Sequence, residues 1–270
     1  MTHHPTQAQP TEAEVRADAV KRDRLVETAR RGLALLETDR RDPVGRGLLG
    51  DAVGQWPGEP PVWLSAAALA WLRPSLPELP LRTERLVLRP ATPDDLEDLL
   101  AYYGREDVAT YLPFGVQDRT DLAASIQRRL RWHREDNPEP PALGLLLELD
   151  GRVVGDVLLM FKPPHHSQAE IGWAVHPDAA GRGLVTEAAR ALLDLAFGHY
   201  GFHRVYASLD ARNLASARLC ERLGMTREGL FRQDFWSQGE WTDSLRYAIL
   251  ADEHAPTTGT ATRDDAGPAH

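Results

Sequence analysis

Apolar positions follow two spacings along this chain, one near 3.6 residues and one near two, and each change of spacing marks a change of element. In the charge-dense stretch 12–40, Val15, Val20, Leu25, Ala29, Leu33 and Leu36 suit one face of a helix. Residues 42–61 hold five glycines and four prolines, which predicts a loop or a pair of short turns. Residues 62–72, VWLSAAALAWL, are apolar almost all round, as expected of a short helix pressed against a larger body. PSLPELP then breaks the chain. Leu86, Val87 and Leu88 start the first strand. Thr92, Pro93, Asp94 and Asp95 read as a helix start, with a capping hydroxyl, a proline in the first turn and acids at the positive dipole end. A second helix is predicted over 120–134. Strands over 143–149 and 152–161 flank Asp150-Gly151, a strong hairpin signal. A strand over 169–175, a helix over 183–200, a strand over 204–209, a helix over 213–223 and two closing strands within 226–234 and 241–250 complete the pattern.

Hairpins in front and a β-α-β-α order behind predict an α/β fold: a mixed, mostly antiparallel sheet with helices on both faces. The expected organisation is a disordered tail over 1–10, a helical N-terminal extension over 11–79, a main domain over 80–253 and a second disordered tail over 254–270. Val62, Trp63, Leu64, Leu69, Trp71 and Leu72 are too apolar to stay solvated, so the extension should pack on the main domain or across a homodimer.

Composition narrows the classes. No stretch approaches the ~20 apolar residues of a membrane span, and MTHHPTQAQP lacks the features of a secretory signal. A single cysteine leaves no intramolecular disulfide and no Cys-based zinc site, which fits a reducing cytoplasm. The histidines His165, His166, His176, His199 and His203 form no ligand-spaced set on one element, so no metal is expected. Net charge is −9, and residues 81–253 carry 20 basic and 27 acidic side chains. Such a balance disfavours a nucleic-acid partner and suits a cationic acceptor.

The candidate chemistry centres on AEIGWAVHPDAAGRGLVTE, which starts at Ala169. A short strand runs into a His-Pro turn and a glycine-punctuated loop that opens directly into a helix. The helix's first N–H groups lack intrahelical partners and sit at its positive end, an anion site. Gly181 and Gly183 let backbone approach a phosphate closely, and Thr186 adds a hydroxyl. The frame is neither the dinucleotide fingerprint nor a P-loop. Within the strand, Glu170, Gly172 and Ala174 share one face, and Ile171, Trp173 and Val175 the other. A carboxylate beside two tiny residues predicts a cleft, where desolvation would raise its pKa and suit a general base. The bland reading is an ion pair with a nearby arginine.

Four blocks in order, LRTERLVLRPATPDDLEDLLAYY, AEIGWAV, GRGLVTEAARALLDLAF and RVYASLDARNLASARLCERLGM, resemble the GNAT superfamily of acyl-CoA-dependent N-acyltransferases over about residues 81–250. N-x-x-S six residues before L-G-M is similar to the ribosomal-protein alanine N-acetyltransferase branch. Ala180 stands where the family loop commonly has Gln or Arg, and Val185 where it has a small residue. The resemblance implies acetyl-CoA as co-substrate, with its pyrophosphate on the backbone of Gly181, Arg182, Gly183, Leu184, Val185 and Thr186. It further implies pantetheine contacts at Asn213 and Ser216, and backbone donors at Trp173, Ala174 and Val175. Glu170 matches the general-base position, and Cys220 stands where many relatives have a tyrosine acting as general acid. A thiol near 8.5 is a closer proton match to CoA than a phenol, yet cysteine often simply packs. The aromatic residues Tyr102, Tyr103, Tyr111, Phe114, Trp132, Phe235, Trp236 and Trp241 fall in segments that flank the acceptor cleft in that family. The implied activity is direct acetyl transfer to a primary amine, a protein N-terminus or a small molecule. The alternative is a CoA-binding module or scaffold without turnover.

Overall fold

The computed structural model describes residues 12–38, 43–57, 60–61, 64, 76–134, 141–162 and 167–256. The expectations for both tails (apart from residues 254–256), for residues 62–72 except Leu64, and for His165 and His166 lie outside them. The chain divides into two compact units, Met1–Arg73 with Pro163–Ser167, and Pro74–Lys162 with Gln168–His270.

The first unit holds α1 (Glu12–Thr38) and α2 (Pro43–Gly54). Leu25, Ala29 and Leu36 of α1 close a small core with Leu49, Ala52 and Leu64. Val20, expected on the same face, is exposed. Helix α2 corrects the loop predicted over 42–61. Gly45 of α2 and Gly32 of α1 serve a close crossing: a Cβ on Gly32 would stand 2.7 Å from the Gly45 carbonyl oxygen, and one on Gly45 2.9 Å from that of Gly32. Contact at that range offsets the ~1 kcal/mol propensity cost of a helical glycine. Pro43 occupies the first helical position, where its missing N–H costs nothing.

The second unit is one eight-stranded sheet. Its strands are β1 (Leu81–Arg82), β2 (Val87–Arg89), β3 (Ala142–Leu149), β4 (Arg152–Phe161), β5 (Gln168–Val175), β6 (Arg204–Asp210), β7 (Thr226–Ser237) and β8 (Glu240–Leu250), in the order β1-β2-β3-β4-β5-β6-β8-β7. All neighbours are antiparallel except β5 and β6. Asp150 and Gly151 take φ of 50° and 76°, the left-handed pair that a two-residue hairpin turn needs. The helices are α3 (Leu96–Tyr103), the single turn α4 (Glu106–Ala109), α5 (Arg119–Trp132), α6 (Leu184–Asp194), which runs on into a π turn (Leu195–His199), and α7 (Leu214–Arg222). Along β3, Leu143, Leu145 and Leu147 pack with Leu184, Ala188 and Leu192 of α6, while Leu146 packs with Leu99 of α3 and Ile126 of α5. Strand alternation thus buries both faces under helices. No described helix is long and apolar enough to cross a membrane.

The sheet comes apart at one place. β5 and β6 pair only through Gln168–Arg204, Ala169–Val205 and Glu170–Tyr206, whereas β4 stays paired with β5 as far as Val175. Beyond Glu170 the two parallel strands diverge, and one edge of β5 is left without a ladder.

Candidate active site

The divergence opens a cavity of about 520 Å³ between Ile171, Gly172 and Trp173 of β5 and Ala207, Ser208 and Leu209 of β6. Gly172 widens it, since a Cβ there would meet nothing within 4 Å. Across the β4–β5 ladder, Asp156 faces Ala174, Leu158 faces Gly172 and Met160 faces Glu170. Ala174 packs with Leu122 and Ile126 of α5, so this row looks towards α5. Arg128, Arg129 and Trp132 of that helix therefore line the same cavity as Glu170.

Both cavity carboxylates have a cation beside them. Asp156 is buried; its Oδ1 accepts from the Tyr102 and Tyr103 hydroxyls at 3.1 and 2.8 Å, and its Oδ2 from Arg129 Nη2 at 2.6 Å. Burial, then the Asp156 charge, holds both phenols well above their ordinary pKa. The signal for this network was one acid in an otherwise apolar strand, which the sequence reading passed over. Glu170 Oε2 accepts from Lys162 Nζ at 2.7 Å. Burial pulls the Lys162 pKa down, but its hydrogen bonds to Glu170 and Tyr206 and their charges outweigh it and raise the pKa. The lone desolvated carboxylate expected at 170 is thus an ion pair, with a lysine where an arginine was considered. Lys162 is one of only two lysines in the chain, and that rarity was the available clue.

Trp173 Nε1 donates to Ser216 Oγ at 3.1 Å, and the Asn213 side chain caps α7 by accepting from the Ser216 N–H at 3.0 Å. Of the residues singled out from the sequence, Glu170, Trp173, Asn213 and Ser216 meet on the cavity wall. Cys220 does not. It packs fully buried in the core, and burial pushes its thiol up to about 12, which removes the proton match that favoured it as general acid. Ala174 is buried against α3 and α5. Among the aromatics, Tyr103, Tyr111, Phe114 and Trp132 line the cavity, and Tyr102 lies beneath it on Asp156. Phe235, Trp236 and Trp241 stand exposed on β7 and β8, outside its lining.

The glycine loop follows β5 beyond the cavity wall. Gly181 and Gly183 take φ of 72° and 78°, a region where a Cβ is strained. Gly183 caps α6 with no side chain, so the N–H groups of Leu184, Val185 and Thr186 face the helix end without intrahelical partners. With Gly181 and Arg182 they form a backbone cradle that fits an anionic pyrophosphate. The Val185 side chain leaves those donors in place. Thr186 is buried, and its Oγ1 accepts from Arg222 Nε at 3.5 Å. Two residues missed in the sequence brace the loop. Arg85 Nη1 donates to the Arg182 carbonyl at 2.9 Å and its Nε to Glu187 at 2.7 Å. Glu187 also accepts from the Arg85 N–H and the Thr83 hydroxyl. T-E-R in the first block carried that signal.

Residues 85–226 match the model of the acetyltransferase (GNAT) domain. The uncharacterized N-acetyltransferase YnaD of Bacillus subtilis is 30% identical over 173 residues, 64% of this chain and 98% of that protein. The crystal structure of a GNAT-family acetyltransferase from Bacillus anthracis superposes with a TM-score of 0.57 at 29% identity, covering 64% of this chain and 98% of that one. The ribosomal L7/L12 alpha-N-protein acetyltransferase RimL, solved with coenzyme A, shares the fold at a TM-score of 0.58 and 19% identity, over 65% of this chain and 99% of its own.

Proposed function

The chain belongs to the GNAT acetyltransferase family, and on that footing we propose that it moves an acetyl group from acetyl-CoA to a primary amine by direct attack in a ternary complex. One observation carries this reading: the opening between β5 and β6 has Glu170 at its apex, while the α6 backbone cradle follows the far end of the same strand. Acetyl-CoA supplies an activated thioester. The cradle of Gly181–Thr186 holds its diphosphate, and Asn213 and Ser216 flank the pantetheine arm. Glu170 takes a proton from the acceptor ammonium, and Lys162 keeps that carboxylate in place. On the open edge of β5 the N–H groups of Trp173 and Val175 donate to the thioester oxygen as charge develops there. Because Ser216 Oγ already accepts from the Trp173 indole, its own hydrogen is free to donate to the departing sulfur. Cys220 takes no part in this scheme. The ribosomal acceptor named for RimL makes a protein N-terminus one acceptor class, and a small-molecule amine the other.

Following free thiol with acetyl-CoA and an amine panel tests the reading. Glu170→Gln should lower the rate about 10²–10⁴-fold near pH 7 with acetyl-CoA affinity nearly intact. The defect should shrink at high pH, where the amine loses its proton unaided. Wild-type activity of Glu170→Gln across pH 6–9 would make Glu170 structural, and binding without thiol release would favour a scaffold.

A further inference from the structure

Building on that reading of the cavity as an acceptor site, we propose that the acceptor amine carries a carboxylate, held by Arg128, on an apolar or aromatic body. The charges on the cavity wall point to it. The lining carries two carboxylates, Asp156 and Glu170, and two guanidinium groups, Arg128 and Arg129. Asp156 is saturated by Tyr102, Tyr103 and Arg129, and Glu170 is paired with Lys162. Among the described residues, counting Lys162, cations outnumber anions, and the excess charge is that of Arg128.

Arg128 is held but not neutralised. Its guanidinium lies 5.9 Å from the centre of the Trp132 ring, and its Nη2 donates to the neutral Ser125 hydroxyl at 3.1 Å. Among the described residues no acidic side chain pairs with it. A guanidinium held near an aromatic ring and a hydroxyl keeps its remaining N–H groups for a carboxylate. A second observation agrees. Arg129, buried beside it in the same wall, has a buried Nη1 with no hydrogen-bond partner among the described residues, so the wall has a donor in excess and no acceptor to match it. Tyr111, Phe114, Trp132, Leu158 and Met160 line the same cavity, which suits an apolar body. A polyamine fits poorly: beyond Glu170 its further ammonium groups would meet Arg128 and, among the described lining residues, no uncommitted carboxylate.

The carboxylate has two sources, the α-carboxyl of a free amino acid or an acidic side chain next to a peptide N-terminus. The full-length protein is assayed with acetyl-CoA and L-phenylalanine against its amide, Phe-Asp-Ala amide against Phe-Asn-Ala amide, and spermidine. Calorimetry with the same compounds on the CoA-saturated protein reads binding directly. In at least one pair kcat/KM should favour the carboxylate by about tenfold or more, with spermidine poorest. Arg128→Ala should collapse that ratio through KM, and Arg128→Lys should restore part of it. A preference for the amides or spermidine overturns the proposal, as does an unchanged ratio in Arg128→Ala. So does failure of every carboxylate to bind or react while CoA binds, which leaves the acetyltransferase reading standing. Failure of acetyl-CoA itself to bind removes both.

Discussion

Asp156 and Glu170 stand four residue pairs apart along the β4–β5 ladder, yet their surroundings give them different work. Asp156 has all its charge answered inside the fold, by two phenols and a buried guanidinium, so it is built for stability and shape. Breaking one side of such a buried pair leaves the other charge uncompensated, typically at about 3–5 kcal/mol. Asp156→Asn should therefore lower unfolding free energy in urea by that order, with the loss also present in the absence of acetyl-CoA. A wild-type denaturation midpoint would show that the network contributes nothing. Glu170 keeps one oxygen clear of Lys162 and lies on the cavity wall, where a substrate can reach it. Alternation along β5 already put Glu170 on the open face. The lysine that holds it sits eight residues earlier in the chain, and only the β4–β5 ladder brings the two together.

At the scale of elements, α6 and its loop show how far a helix start depends on a distant segment. Gly181 and Gly183 make the turn, but Arg85 and Thr83 hold it through Glu187. Burial raises the Glu187 pKa, while the Thr83 hydroxyl and the Arg85 N–H and guanidinium lower it more, leaving it below the ordinary 4.5. A depressed carboxyl contributes stability that is fully present above its unfolded value and is lost as pH falls through the folded one. The wild type should thus be more heat-stable than Glu187→Gln at neutral pH, and the gap should close on acidification below about 4.5. A gap independent of pH would rule out the ion pair as its source. In the first unit, the turn-like composition of residues 42–61 hid α2, because glycine's gain from a close crossing is invisible without the partner helix.

At the scale of the whole molecule, every described residue that lines the cavity or forms the cradle belongs to the second unit. Acetyl-CoA should raise the melting temperature by mass action, about 2.7 kcal/mol at a hundredfold excess over Kd. Gly183→Asp should abolish the shift by setting a carboxylate and a Cβ against the diphosphate. Hydrogen exchange with acetyl-CoA present should protect amides of β5, the loop and the start of α6, and leave those of α1 and α2 unchanged. Protection confined to α1 and α2 would refute this assignment of the site.

Apart from the two-residue β1 and the single turn α4, the order of strands and helices in the second unit was determined by the sequence itself, as were the Asp150-Gly151 hairpin, the glycine loop and the open face of β5, because they rest on local periods and local backbone preferences. The divergence of β5 from β6 was decided by the tertiary structure, since three paired residues followed by none is a property of two strands separated by a helix. So were the partners of the charges, Lys162 for Glu170, Arg129 for Asp156 and Arg85 for Glu187, and the burial of Cys220. Electrostatic partners and desolvation depend on distance in space, and spacing along the chain carries neither.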